Sequence, residues 1–558
     1  MGFYQIAQMI SVLTLAVTFP PDGMPWDHGR LQVSDNDRFI QHEDGTAFYW
    51  LGDTAWEFFH RASRSERIQF LDNRQTKGFS VIQCVLLAEI DGLNTPTPEG
   101  HRPLLNNDPT TPDIKPGPDN DYWDEVDFIL TEAENRGMYL GILPTWGDKV
   151  DIDDWGVGPV IFNPSNAYIY GEFVGERYKD RPNIIWINGG DRNPDTPSYI
   201  DTWNALAQGV KARDPNHLMT FHPQGWYSSS IWFHNETWLD FNMMQSGHGA
   251  YHLDNYSRIT SDYNLAPVKP TLEGEPRYED HPVNWNPSNG YFRDADVREA
   301  AYWSIFAGGF GHTYGHHSIW QWYSPSNYSI NYPDRYWYEA LDRPGAFDMT
   351  HVKALMISRP FFTRVPDQSI LAMDASSGEN RVQATRGNDY LFVYTGNGRT
   401  LTINMGRIGG SDVNAWWYNP REGTVSMIGT YTNTGTRTFD PPGGQSFGND
   451  WILVVDNVTR TDFPEPGQAI FNGNYTPLID PPSNLAVTAL SSSEVSLSWD
   501  DNSSDPNEDG FIIQRKPYAS VNEWHQLDDL GPDTTSYTDT DSLHGLVTYT
   551  YRVGVYKN

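Results

Sequence analysis

From Phe48 to about Gly315, short apolar runs of β type alternate with longer stretches of helical period, the pattern of repeated βα units around a parallel sheet. Eight such runs can be counted: Phe48 to Ala55, Ser80 to Ala88, Tyr139 to Trp146, Asn183 to Asp191, Leu218 to Gln224, Phe241 to His248, Lys269 to Glu275 and Ala307 to Tyr314. Eight strands close a (β/α)8 (TIM) barrel, so the fold class expected here is α/β. The helices between the runs are also legible. Ser63-Arg64-Ser65-Glu66 is a capping box, because the serine accepts from the third helical N–H while the glutamate reaches back, and that helix should stop near Gly78. Asp121 to Arg136 puts Val126, Ile129, Leu130 and Ala133 on one stripe and ends at Gly137, a left-handed stop.

After about Pro360 the helical period vanishes and strict alternation takes over, as in Asp389 to Tyr394 and Trp451 to Val455, which predicts a β-sandwich. A Pro, Gly and Asn-rich stretch follows and reads as a linker. The last module resembles a fibronectin type III domain. Val495 to Trp499 suggests the strand with the core tryptophan, and Leu543, Gly545 and Tyr549, followed by Tyr551 and Val553, match that fold's tyrosine corner. The expected organisation is a signal-like segment 1–22, a barrel 23–358, a sandwich 359–458, a linker 459–482 and a fibronectin-like module 483–558.

Composition narrows the partners. The formal net charge is −34, which argues against nucleic acid or anionic lipid as partner. Aromatic residues make up 14% of the 558 positions, more than a core needs, and surplus exposed rings commonly stack on sugars. Cys84 is the only cysteine and sits in an apolar run, so it reads as a small buried hydrophobe. The apolar stretch Ile6 to Phe19 is too short for a membrane span and resembles the core of a secretory signal, so a secreted or periplasmic location is expected.

In a barrel of this kind the catalytic groups belong at the C-terminal ends of the strands. Nearly every run ends in a residue that binds or ionises: Asp53, Glu89, Trp146, Asp148, Asp191, His222, His248, Glu275 and His312. Asp191 follows two glycines at the end of the fourth run, and Glu275 closes the seventh. Many retaining glycosidases on this fold place an acid/base and a nucleophile at these two ends, with carboxyls ~5–5.5 Å apart. Asp191 is assigned as acid/base and Glu275 as nucleophile. Glu273 shares the strand parity of Glu275 but should lie a layer deeper and bond a basic neighbour.

The same stretches carry a wider pattern: Leu51 to Glu57 with Phe59-His60-Arg61, Val81-Ile82-Gln83, Ala88-Glu89-x-Asp91-Gly92, Leu143 to Lys149, Gly189-Gly190-Asp191, Glu273-Gly274-Glu275-Pro276-x-Tyr278-Glu279 and Gly311 to Gly315. Together they resemble glycoside hydrolase family 140, over roughly residues 25 to 455, with the sandwich similar to that family's collagen-binding-type C-terminal domain. The resemblance implies an apiosidase-like enzyme that trims side chains of the pectin rhamnogalacturonan II, with its catalytic Asp and Glu falling on Asp191 and Glu275. It implies no cofactor and a polysaccharide or oligosaccharide partner. Substrate contacts are expected from Asp53, Trp56, His60, Gln83, Glu89, Asp91, Trp146, Asp148, Lys149, His222, His248, Tyr278, His312 and Tyr314.

Three features are weighed separately. His312, His316 and His317 lie among glycines with no carboxylate in the segment, so a loop that bonds sugar is favoured over a metal site. Asp505-x-Asn507-x-Asp509-Gly510 copies half of a calcium loop, but the twelfth position is Lys516, so no site of that type is expected. Lys149 and Arg277 are candidates either to pair with uronates of the substrate or to hold neighbouring carboxylates. Two other readings stay open, an endo-acting β-glycanase and a non-catalytic carbohydrate-binding or adhesion protein.

Overall fold

The computed structural model describes residues 24–152 and 155–469 and, in the C-terminal module, 483–491, 493–501, 510–517, 525–531, 534–540 and 549–556. The signal-like segment, Asp505, Asn507 and Asp509, and the expected tyrosine-corner residues Leu543 and Gly545 lie outside the described residues.

Eight parallel strands form the centre: β1 Trp50–Thr54, β2 Val81–Val85, β3 Tyr139–Leu143, β4 Ile184–Gly189, β5 Met219–His222, β6 Asn242–Gln245, β7 Thr271–Glu275 and β8 Gly311–Tyr314. Each lies inside one of the eight apolar runs. Their ladder order is β5-β4-β3-β2-β1-β8-β7-β6. The two ends of this order meet through bonds from the Asp240 N–H to the Met219 carbonyl and from the Thr220 hydroxyl to the Phe241 carbonyl, so the barrel is nearly closed. All the strand residues are buried, as expected of strands covered on both faces. Below the barrel, a three-stranded antiparallel sheet of Leu31–Val33, Ile40–His42 and Ala47–Phe48 packs Phe48 on Tyr139.

The two helices read from sequence form where their caps dictate. Arg64–Thr76 carries the Ser63 and Glu66 capping box and is followed by Gly78 at φ 73°. Tyr122–Glu134 starts on the Asp121 carboxylate, which accepts from the Trp123 and Asp124 N–H groups.

Residues beyond the barrel fold as a sandwich: a six-stranded antiparallel sheet, Val365–Pro366, Val382–Arg386, Tyr390–Thr395, Trp451–Asn457, Asp412–Asn419 and Thr424–Thr432 in ladder order, and a two-stranded one, Leu401–Asn404 with Thr436–Phe439. Leu391, Val393, Val413 and Leu453 meet Leu401, Ile403 and Phe439 between them. The outer face of the larger sheet lies on the barrel helix Asp294–Phe306, where Tyr302 stacks on Tyr394 at 4.8 Å and Phe306 on Phe392 at 5.9 Å. Two buried arginines join the same bodies. Arg298 reaches Asp348 and Asp450, and Arg359 grips Asp456 with two bonds of 2.8 and 2.7 Å.

Residues 459–469, expected as linker, instead pack on the sandwich. Arg460 pairs with Asp389 and Asp462, and the Gln468 amide donates to the Gly423 carbonyl. Residues 472–558 form a separate compact unit. Its strands make two three-stranded antiparallel sheets, Ser483–Ala489, Val495–Asp500 and Ser536–Asp539, and His525–Leu530, Gly510–Pro517 and Tyr549–Tyr556, around Leu497, Trp499, Phe511 and Ile513. Cys84 is buried in β2, where burial pushes its thiol pKa well up.

Candidate active site

Two local backbone devices aim the carboxylates. At the end of β4, Gly189 and Gly190 hold φ 91° and 124°, and Asp191 holds φ 55°. A Cβ on Gly190 would fall 2.8 Å from the Gly147 nitrogen and 2.9 Å from the Trp146 ring, so this close turn requires glycine. In β7 the ladder slips: Glu273 pairs with Met244 and Glu275 with Gln245, two steps against one, so Gly274 is a bulge. Gln83 reaches across the barrel interior from β2 and donates to the Gly274 carbonyl at 2.8 Å. The bulge turns Glu273 not deeper into the barrel, as expected, but outward to the helix layer, where the Asn255 amide bonds it and His312 lies 4.0 Å away, and brings Glu275 to the wall of a cavity.

That cavity, about 830 Å3, opens at the C-terminal ends of the strands. Asp191 and Glu275 both line it, together with Glu89, Trp56, Trp146, His248 and Tyr278 among the residues singled out from sequence. His222 sits behind them. It accepts the Asp191 N–H on Nδ1 at 3.4 Å, which places its proton on Nε2, 2.9 Å from Glu275 Oε2. His248 Nε2 lies 3.2 Å from the other oxygen, Oε1. Trp56 donates its indole N–H to the Tyr278 hydroxyl at 3.1 Å, and Tyr278 lines the cavity with Glu275.

The carboxylates are driven apart in acidity. Asp191 is raised to about 7, first by burial and then by the charge of Glu275, against the opposing pull of His222, Arg192 and a bond from Gln245. For Glu275 burial also acts upward, but the imidazoles of His222 and His248 outweigh it and draw the group down to about 2. One carboxyl of the cavity is thus pushed toward its protonated form beside one pushed toward its ionised form. Glu89 is raised to about 8, by burial and by the negative charges of Asp191, Asp148 and Glu57.

Other expected contacts are spent within the protein. Asp53 is fully buried in an ion pair with Arg74, and the Tyr314 hydroxyl donates to Glu279. His60 bridges Glu57 and the Thr95 carbonyl. Asp91 accepts from the Asn94 and Thr95 side chains. Lys149 is buried against Asp148, which also receives the Val157 and Gly158 N–H groups and so anchors a loop of the cavity wall. Arg277 is bound to Glu299. Of the two roles weighed for Lys149 and Arg277, holding neighbouring carboxylates is the one observed. The histidine-rich segment is not a loop throughout: His312 is in β8, bonded to Ser304, and His317–Trp320 is a helix capped by His316. His316 pairs with Asp280 and His317 with the Asn331 carbonyl. Among the described residues no group of three or more His, Cys, Asp or Glu side chains is gathered in the manner of a metal site.

Sequence reasoning missed Gln245, which lines the cavity with Asp191 from the end of β6, and the ring-bearing cavity residues Trp155, Trp226 and Trp285. Gln245 was legible as a polar residue inside the sixth run; the tryptophans lie in loops that carry no periodicity.

Comparison with known proteins bears on the fold and the family. A family model described as "Apiosidase-like, catalytic domain" matches residues 34–363, and one described as "Putative collagen-binding domain of a collagenase" matches residues 365–456. A solved structure named "Glycoside hydrolase" is 39% identical with TM-score 0.74 and covers 78% of this chain and 99% of its own. A glycoside hydrolase family 5 structure from Bacteroides vulgatus is 37% identical with TM-score 0.74, covering 79% and 95%. An Arabidopsis thaliana protein named "Putative mannan endo-1,4-beta-mannosidase 4" is 27% identical over 27% of this chain, which spans about half (48%) of that relative's length. The chain belongs to the apiosidase-like family of glycoside hydrolases.

Proposed function

We propose that this protein hydrolyses glycosidic bonds of cell-wall polysaccharide with retention of configuration, through Glu275 and Asp191. The observation that carries the reading is that these two carboxyls line one cavity and are driven to opposite protonation states by their surroundings. Glu275 attacks the anomeric carbon while Asp191 passes its proton to the leaving oxygen, and the glycosidic bond breaks as the glycosyl–Glu275 ester forms. Asp191, now ionised, takes a proton from water, whose oxygen displaces Glu275 and releases the sugar. His222 and His248 hold the Glu275 oxygens in place for attack, and Trp56, Trp146 and Tyr278 line the cavity beside them.

The resemblance to glycoside hydrolase family 140 supports release of an apiose-capped side chain from rhamnogalacturonan II. The relative with a mannosidase name supports a second reading, endo-cleavage of a β-glycan. The terminal unit, with two three-stranded sheets and Trp499 in its core, supports a fibronectin type III module, and the apolar N-terminal run supports export. The test is product analysis after incubation with rhamnogalacturonan II and a panel of plant and algal polysaccharides, with the first-formed anomer read by proton NMR. Release of a sugar with its original anomeric configuration is expected. Inversion, or no release from any glycan, overturns the proposal.

A further inference from the structure

The cavity wall contains two residues whose backbone contradicts their side chain. Among the described residues, most of those other than glycine with positive φ are Asn or Asp, which tolerate it. Trp226 and Trp285 hold φ 72° and 54°, a conformation that a bulky residue adopts only when its surroundings impose it. Both line the cavity.

The imposing bonds are visible. The Trp226 N–H donates to the Gln245 carbonyl at 2.7 Å, and Tyr227 and Gln245 pair again at 3.1 Å, so the loop after β5 is laid along the end of β6. Arg258 sits over the Trp226 ring, 5.4 Å from its centroid. On the other side of the opening, Asn284, itself at φ 52°, donates its N–H to the His248 carbonyl at 2.8 Å and presents Trp285 next to it. Trp285 meets the imidazoles of His248 and His281 at 6.1 and 5.8 Å, nearly perpendicular to both, and is 47% exposed. A buried core explains neither ring.

Their exposure shows which part of a substrate they serve. Glu275 is 5% exposed in the cavity wall, whereas Trp226 is half-buried and Trp285 47% exposed, so both rings stand outward of that carboxyl, toward the opening. We infer that Trp226 and Trp285 form an aromatic clamp for the sugar unit on the leaving-group side of the cleaved bond, so that this enzyme takes a glycan of two or more linked units rather than a lone glycoside. Sugar rings present C–H faces that pack on indole, and rings fixed in advance by the backbone bind without losing rotamer freedom. The inference rests on the hydrolytic reading above and adds to it the extent of the substrate.

The test uses Trp226→Gly and Trp285→Gly in the full chain. Glycine accepts the observed backbone, so each change removes the ring and the strain together. Two substrates are compared: a polysaccharide that the wild type cleaves in the panel above, and the 4-nitrophenyl glycoside of the sugar it releases, in which nitrophenol replaces the leaving sugar. For each variant kcat/KM on the polysaccharide should fall about tenfold further than on the aryl glycoside, a difference of ~1.4 kcal/mol, with the thermal midpoint level or raised. Equal losses on the two substrates, or a lowered midpoint with proportionate loss of all activity, overturn the clamp and leave the hydrolytic reading intact. If the wild type cleaves no glycan, the hydrolytic reading fails by itself. Retardation in native gels cast with rhamnogalacturonan II then decides the clamp: variants retarded less than wild type support it, and equal retardation overturns it.

Discussion

Replacing Glu89 by Gln tests the electrostatics of the cavity without altering Asp191 or Glu275. In the folded protein Glu89 is held near 8 by burial and by the charges of Asp191, Asp148 and Glu57, against about 4.5 for a free side chain. A carboxyl whose folded pKa lies above its unfolded one costs nothing below pH 4.5. Between 4.5 and 8 the unfolded chain gives up this proton while the folded one keeps it, so stability falls as pH rises. At about 1.4 kcal/mol per tenfold change in the proton equilibrium the full loss is at most about 5 kcal/mol. The carboxyl opens partly onto the solvent of the cavity, and screening brings this to roughly 2–3 kcal/mol. For a unit of this size, with an unfolding entropy of about 2 cal/mol/K per residue, that is roughly 2–3 °C in thermal midpoint. Wild type and Glu89→Gln should therefore melt together at pH 5 and separate above pH 7, with the variant the more stable by about that amount at pH 8.5. Scanning calorimetry across this range reads the difference directly. A gap that stays constant with pH would refute the reasoning, because the linkage requires it to open.

Asp191→Asn should lower kcat by about 10²–10⁴-fold and Glu275→Gln by at least as much, with folding intact by circular dichroism; near-normal turnover by either removes the assignment. The kcat/KM profile should fall as pH rises through about 7, where free Asp191 loses the proton it must donate, and a flat profile from pH 6 to 9 would contradict that role. His248→Phe removes one of the two imidazoles that hold Glu275 down, so the acid limb should move upward by about one pH unit. Arg298→Met strands Asp348 and Asp450 without their cation and should cost about 3–5 kcal/mol in urea unfolding.

The barrel could be read because its strands are buried on both faces and appear as unbroken apolar runs. That Asp191 and Glu275 would line one cavity could be read because polar groups gather at barrel strand ends. What misled was the assumption that a polar residue at a strand end faces the cavity. Asp53, His312 and Tyr314 point into partners supplied by other elements, Arg74, Ser304 and Glu279, and no local pattern announces such pairs. The equal parity of Glu273 and Glu275 was broken by the bulge at Gly274, which depends on Gln83 across the barrel. Trp226 and Trp285 were hidden for a related reason, since their left-handed backbone is imposed by long-range hydrogen bonds rather than by residue type.

The seam between barrel and sandwich has a practical meaning for anyone cutting or recombining this chain. Truncation after residue 358 would bare the aromatic flank around Tyr302 and Phe306 and leave Arg298 without Asp450. The residues that resemble a detachable accessory thus cover a helix on the outside of the barrel. Domain-shuffling libraries should keep residues 24 to 469 as one indivisible cassette and place their crossovers nearer the start of the terminal unit.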